Sequence, residues 1–468
     1  MATGSSWKMC SLLWAGKREG CRSCSSPCGL NGNDIQPINT PRLQTHHHNA
    51  LYLVVAVVMI VMTFIIALQP LYLSEILGLA YKNAGFVNSN IQVISEVLDL
   101  LLVGYLGYLS DRIGRVSLLV YGFLFTGVMA LVSPFDKEIA AFLGLSALLV
   151  FYVTRVLMSL GTTLIWPQVV TLTGDYSSPS EPSKLVINVG FMMAFGVSLV
   201  YAVFMQIPNY IDLKYVMVLI AVIAFSGAWL SKNLLVEAGI PHAGEQESPL
   251  HIIVDLIKKE KRISLSLMAA FTSRNDMVVV GLFLMTWFIY FSDLVPGMTH
   301  VQAASQGGIV IGFMGAVVLL SIPLWGRAIE SFGTVSVIAV ALLLTGFGFS
   351  SLGLILNPLS WWILGPLAFV GVGQAGCLLA SQILVLQQAP KEIRGTVLGI
   401  FNTVGCIGVI FFLQIGGFLF DWIGPTAPFT LVGIANLLTF GYSLWVMKNQ
   451  KDSEQVRLQS EVFDEIEA

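Results

Sequence analysis

Glu96, Asp99 and Arg155 are ionisable residues inside long apolar stretches of this chain. A charge in hydrocarbon is costly, so such a residue marks a ligand path or a partner. Glu96 and Asp99 are spaced to share one face of a helix. Two carboxylates near an arginine can exchange protons or hold a charged ligand. The expectation is one charge group, Glu96, Asp99 and Arg155, lining a cavity. Gln92, Asn188, Asp276, Gln382 and Asn402 are candidate substrate contacts. Gln69, Asn88, Asn90, Gln374, Gln414 and Asn436 read mainly as hydrogen-bonding glue between helices. Arg274 and Asn275 stand beside Asp276, where they either line a cavity mouth or snorkel to the surface.

A second kind of chemistry is hinted at near the amino terminus. Cys21-x-x-Cys24 with Cys28 can bind a metal where the thiolates converge, and His46-His47-His48 offers imidazoles. Short matches of this kind are weakly specific, and a polar leader rich in Ser, Gly and Cys accounts for them as well. No cofactor is expected, and no signal peptide is evident.

The elements that must hold these groups are membrane helices. The chain has 468 residues, of which 56% are hydrophobic and 11% charged, and its mean hydropathy is +0.80. That leaves too little polar surface to cover a water-soluble globule of this size. Apolar runs fall near 50–73, 84–109, 116–133, 139–165, 184–207 and 215–231, then 266–292, 305–325, 334–356, 360–387, 395–420 and 426–447. Each is near or above the roughly 20 residues that cross a bilayer as a helix. Continuous apolarity without strict alternation excludes a barrel.

The expected organisation is therefore a disordered cytoplasmic arm (1–49), a six-helix bundle (50–231), a cytoplasmic central loop with an amphipathic helix (232–265), a second bundle (266–447) and a cytoplasmic tail (448–468). With both termini in the cytoplasm, only Lys82, Lys137 and Lys214 of the 24 Lys and Arg residues fall outside, and Arg155 lies within a span. That asymmetry favours the orientation.

Three charged hairpins repeat one spacing: Gly107-x-x-x-Asp111-x-x-Gly114, Gly326-x-x-x-Glu330-x-x-Gly333, and on the other face Gly417-x-x-x-Asp421-x-x-Gly424. The first, Gly107-Tyr108-Leu109-Ser110-Asp111-Arg112-Ile113-Gly114-Arg115, resembles the signature loop of the major facilitator superfamily. Arg155 to Gly161 resembles that family's fourth-helix motif, with Met158 and Ser159 in place of its glutamine and first glycine. Pro390-x-x-x-Arg394-Gly395 resembles the loop before its eleventh helix, whereas Gly190 to Gly196 lacks the Gly-Pro pair of its drug exporters. The resemblance spans about residues 50 to 447. It implies twelve helices in two bundles, all-α, with a central cavity and alternating access. Gly107, Asp111, Arg112, Gly114, Arg115, Gly326, Arg327, Glu330 and Gly333 would be conformational hinges.

The function this implies is secondary active transport of a small solute, coupled to protons, by a monomer in a lipid bilayer. Two other readings stay open, a carrier of iron or another transition metal, and a transport-inactive sensor or assembly scaffold. Enzymatic chemistry is not expected, since no nucleophile with its base and no phosphate loop stands in the sequence. Nor is there a nucleic-acid footprint.

Overall fold

The computed structural model describes residues 45–176, 182–237, 259–389 and 394–467. Among these residues, twelve helices are long and apolar enough to cross a membrane. The first six are α1 (Thr45–Glu75), α2 (Ala84–Ile113), α3 (Arg115–Val132), α4 (Ala147–Tyr176), α5 (Pro182–Ala202) and α6 (Leu213–Leu234). Then come α7 (Lys261–Leu294), α8 (His300–Phe332), α9 (Thr334–Leu352), α10 (Leu364–Gln388), α11 (Arg394–Trp422) and α12 (Ala427–Glu467). Short turns join most of them, so neighbours run antiparallel. The amino end of α1 lies on a face bearing Arg112, Arg115, Lys261 and Arg327, called the basic face below.

Most boundaries match the apolar runs, and the departures have local causes. Residues Ser133–Phe135 form a 3-10 turn and Asp136–Leu143 a short helix, closed by Gly144 at φ +67°. The expected fourth span, 139–165, is therefore displaced to Ala147–Tyr176 and runs through Pro167. Helix α1 begins at Thr45, so His46, His47 and His48 belong to it and not to an arm ending at 49. Helix α12 continues through the expected tail, because the residues after Met447 are good helix formers without Gly or Pro. The amphipathic segment 250–258, the loop 390–393 and Cys21, Cys24 and Cys28 lie outside the described residues.

The halves meet on the face opposite the basic one. There Asp421 of α11 accepts from the Gly85 and Phe86 amides at the start of α2, at 2.7 and 2.8 Å. Tyr290 donates to the Leu79 carbonyl at 2.7 Å, and His300 lies 2.9 Å from Glu75. Gln206 donates to the Ser305 carbonyl at 3.0 Å. Close approach is possible because Gly308 and Gly312 of α8 face Tyr201 and Ala202 of α5 without a Cβ between them.

The three hairpin repeats share a backbone feature. Their last glycines, Gly114, Gly333 and Gly424, all have positive φ, at +100°, +80° and +142°. That conformation strains any residue with a Cβ, which explains why a glycine recurs at the last position of the spacing. Gly107 and Gly326 differ: they lie within helices, and a Cβ on either meets nothing within 4 Å. Among the described residues no close helix approach occurs at either glycine.

At the basic face Glu237, just after α6, accepts from the Arg115 and Val116 amides at 3.0 and 2.8 Å, capping α3. The Arg115 guanidinium forms a buried ion pair with Asp175 at the end of α4. Arg112 stacks on Tyr108, its guanidinium carbon 4.5 Å from the ring centroid. Asp111 lies on α2, and its side chain falls outside what the structure describes. Arg327 and Glu330 are exposed on α8.

Candidate functional site

Helices α2 and α4 meet along hydroxyls. Arg155, Ser159 and Thr163 follow one another by one turn on α4, and Gln92, Glu96 and Asp99 do so on α2. Ser95 and Ser159 are 2.5 Å apart across the contact. One of the two hydroxyls donates to the other, while the other donates to a carbonyl of its own helix, Ile91 for Ser95 or Arg155 for Ser159. Short hydroxyl side chains of this kind let two membrane helices approach while satisfying their polar atoms.

The expected charge group is divided by this arrangement. Arg155 is buried and donates through Nε to Gln69 at 3.2 Å and through Nη1 to Ser159 at 3.5 Å. Gln69 in turn donates to the Asn88 carbonyl at 3.0 Å and to its side chain at 3.2 Å. Among the described residues no ion pair joins Arg155 to Glu96 or Asp99. The displaced start of α4 explains this: Arg155 is eight residues from that end, about 12 Å along the axis. Glu96 and Asp99 are deeper, about 18 and 22 Å from the start of α2.

The arginine within electrostatic reach of Glu96 comes from the other half. Arg274 of α7 acts electrostatically on Glu96, which acts in turn on Asp99. Gln92 donates to Glu96 at 3.3 Å, and Thr163 donates to Asp99. Arg274 is steadied by Asn402, whose side-chain oxygen accepts from Nη1 at 2.8 Å. It lies against Gly405, where a Cβ would collide with it. The neighbouring Cys406 thiol is in electrostatic reach of Arg274, Glu96 and Asp99. The site is therefore Gln92, Glu96, Asp99, Arg274, Asn402 and Cys406, built from α2, α7 and α11. The sequence marked the first five separately but assigned Arg274 no carboxylate partner, and it gave no reason to single out Cys406.

The other candidates fall elsewhere. Asn188 donates to the Tyr52 hydroxyl at 3.0 Å, tying α5 to α1. Gln382 is exposed on α10. Asp276 has no exposed surface and lies inside the second half, not at a cavity mouth. His48 bonds the Tyr176 carbonyl at 3.1 Å, and His46 and His47 stack with ring centroids 3.8 Å apart. Among the described residues no group of three or more His, Cys, Asp or Glu side chains is placed to hold a metal ion. A buried carboxylate that the sequence reading passed over, Asp136, accepts from Thr154 at 3.2 Å and from Tyr72 at 3.5 Å. It falls between the expected apolar runs 116–133 and 139–165, which hid it.

Twelve membrane helices in two sets of six, with facing charges between the sets, define a membrane transporter fold. The chain belongs to the major facilitator superfamily, whose family model matches residues 51–301 and 277–464. Secondary active transport by alternating access is typical of that family, and its members are not enzymes. The magnetosome protein MamH of Paramagnetospirillum magneticum (strain AMB-1) is 46% identical over 408 residues, covering 87% of this chain and 94% of that protein. The magnetosome protein MamZ of the same organism is 36% identical over 407 residues, covering 86% of this chain but 63% of its own length. Among solved structures, a D-xylose-proton symporter shares the fold with a TM-score of 0.65 at 16% identity, over 84% of this chain and 97% of that one.

Proposed function

We propose that this protein is a secondary active transporter of a small charged solute, coupled to protons carried by Glu96 and Asp99, and that its basic face is cytoplasmic. The observation that supports this reading most is that Arg274 in the second half lies in electrostatic reach of Glu96 in the first, with Asp99 beside Glu96. A charge relationship that spans the two halves changes whenever they rock, so protonation and solute binding bias the conformation. The hydrogen bonds between halves at the opposite face fit a state closed to the outside and accessible from the cytoplasm. The likeness to two magnetosome proteins supports placing the transporter in a magnetosome membrane.

The test is transport in proteoliposomes. A thermal-shift screen of solutes and metals on the purified protein selects ligands, since a ligand bound only by the folded state raises its apparent stability. Counterflow of the labelled ligand is then measured. Glu96→Gln, Asp99→Asn and Arg274→Ala are each expected to lose more than tenfold in rate. Wild-type rates in all three would end the proposal, and absence of counterflow for every ligand that binds would favour a scaffold.

A second reading, carriage of iron or another transition metal, draws on the relatives' magnetosome names and on Cys21, Cys24, Cys28, His46, His47 and His48. Soft thiolates and imidazoles suit such metals. Uptake of labelled iron by the full chain, and its loss on deleting residues 1–44, is the result this reading requires.

A further inference from the structure

Inside the second half, away from the candidate site, lies a set of polar atoms that the transport reading leaves unused. Asp276 and Asn436 have no exposed surface. Both carboxylate oxygens of Asp276 and both amide atoms of Asn436 lack a hydrogen-bond partner. The two side chains are nonetheless neighbours, at polar-contact range without hydrogen-bond geometry. Burying even one unpartnered polar atom costs about 1–3 kcal/mol, and an isolated buried carboxylate costs far more unless it is neutralised.

Charge around Asp276 does not come from the protein. Arg274 is turned to Asn402 and Gly405 on α11. Among the described residues no Lys, Arg or His forms an ion pair with Asp276. From α10 the Cys377 thiol faces it, flanked by the Ser273 and Thr345 hydroxyls. Those hydroxyls donate to the Ala269 and Ala341 carbonyls, at 2.7 and 2.9 Å, and so are committed elsewhere. From α12 the facing group is Asn436 itself.

The donor and acceptor count then decides the occupant. With Asp276 ionised, the amide NH2 of Asn436 can donate to one carboxylate oxygen, but its carbonyl must face the other, acceptor against acceptor. With one proton on Asp276, the acid O–H donates to the amide oxygen and the amide N–H donates to the remaining acid oxygen. All four atoms are paired by that single proton. We propose that Asp276 and Asn436 are an acid and amide pair that holds one proton within the second half, a proton site distinct from Glu96 and Asp99.

The backbone around it is built to move. Helix α7 is interrupted at residues 274–275 and again by a π-turn at Val280–Leu284, leaving Asp276–Val279 as one short turn between two irregularities. Such π-turns inside helices are frequent at functional sites. Reorienting this turn is the route by which the buried proton would reach water.

Infrared spectroscopy of the purified full-length protein tests the pair directly. A protonated carboxyl group gives a carbonyl stretch separate from that of a carboxylate. At neutral pH the wild type is expected to show one that shifts when aspartate is 13C-labelled. That band should persist in Asp99→Asn and in Asp136→Asn, and vanish in Asp276→Asn, which keeps the fold because two facing amides pair in the same way. A wild type with no label-sensitive band, a band lost in Asp99→Asn or Asp136→Asn, or one retained in Asp276→Asn would overturn the proposal. Should Asp276→Asn fail to fold, the labelled wild type and the other two variants decide the matter. Because the readout is spectroscopic, its failure is separate from any failure of transport.

Discussion

Asp421 caps Gly85. The carboxylate near the end of α11 accepts from amides in the first turn of α2, at 2.7 Å from Gly85 and 2.8 Å from Phe86, and so joins one half of the molecule to the other at a helix amino terminus. Anions are favoured there by the helix dipole and by unpaired N–H groups. Gly417 and Gly85 allow the approach, since a Cβ on Gly417 would lie 2.8 Å from the Gly85 carbonyl. The third copy of the hairpin spacing thus ties the two halves together at this face.

Removing the negative charge should loosen that tie. Asp421→Asn keeps the shape and one acceptor, so the loss is that of a charged cap, about 1–2 kcal/mol. That corresponds to roughly a tenfold shift toward the state open at this face. Labelling of a cysteine introduced beside Gly85 should speed up by a similar factor. An unchanged labelling rate would show that Asp421 is not what holds the halves together.

The buried pair of Arg115 and Asp175, with side chains 7% and 9% exposed, permits a sharper experiment. Removing one member strands a buried charge, at a cost of about 3–5 kcal/mol, while replacing both by apolar groups is often neutral. Arg115→Met should therefore lower the thermal unfolding midpoint strongly, and adding Asp175→Leu should recover most of the loss. If the double variant is as unstable as the single one, the pair contributes attraction and not merely mutual neutralisation.

Arg155 holds two acceptors on different helices, Gln69 through Nε and Ser159 through Nη1. Lysine keeps the charge but presents a single ammonium in place of a planar fork. Arg155→Lys is expected to fold with a lowered thermal unfolding midpoint, because one ammonium cannot hold both acceptors in the geometry of the guanidinium. A wild-type midpoint in Arg155→Lys would mean that only the positive charge matters at this position.

What could be read from the sequence was set by how local the signal is. Twelve spans and the positive hairpins are written in consecutive residues, so continuous apolarity and glycine spacing revealed them. The approach of Arg274 to Glu96 is not local: it relates α7 to α2 across the molecule, and nothing near either residue records it. Arg155 misled for a related reason. Residues 139–146 are apolar enough to count toward a span, but Gly144 ends a short helix there and moves α4, and with it Arg155, toward the opposite face. Asp276 was visible as a charge in an apolar run, but its burial depends on how α9, α10 and α12 close around α7.

The signature hairpin ends in the most discriminating prediction. Gly107 and Gly114 belong to the same motif but serve different backbones. Gly107 is helical with open space where a Cβ would go, so Gly107→Ala should be neutral or stabilise by up to about 1 kcal/mol, alanine being the better helix former. Gly114 has φ +100°, and a Cβ there would press on the Glu237 carboxylate that caps α3, 2.5 Å from Oε1. Gly114→Ala therefore pays for left-handed strain of about 1–2 kcal/mol and also displaces the cap. Its unfolding midpoint should fall while that of Gly107→Ala does not. Comparing the two variants, each purified in the same detergent, separates a hinge that depends on one bend from one that depends on close packing along the whole motif. Equal destabilisation by both would favour packing.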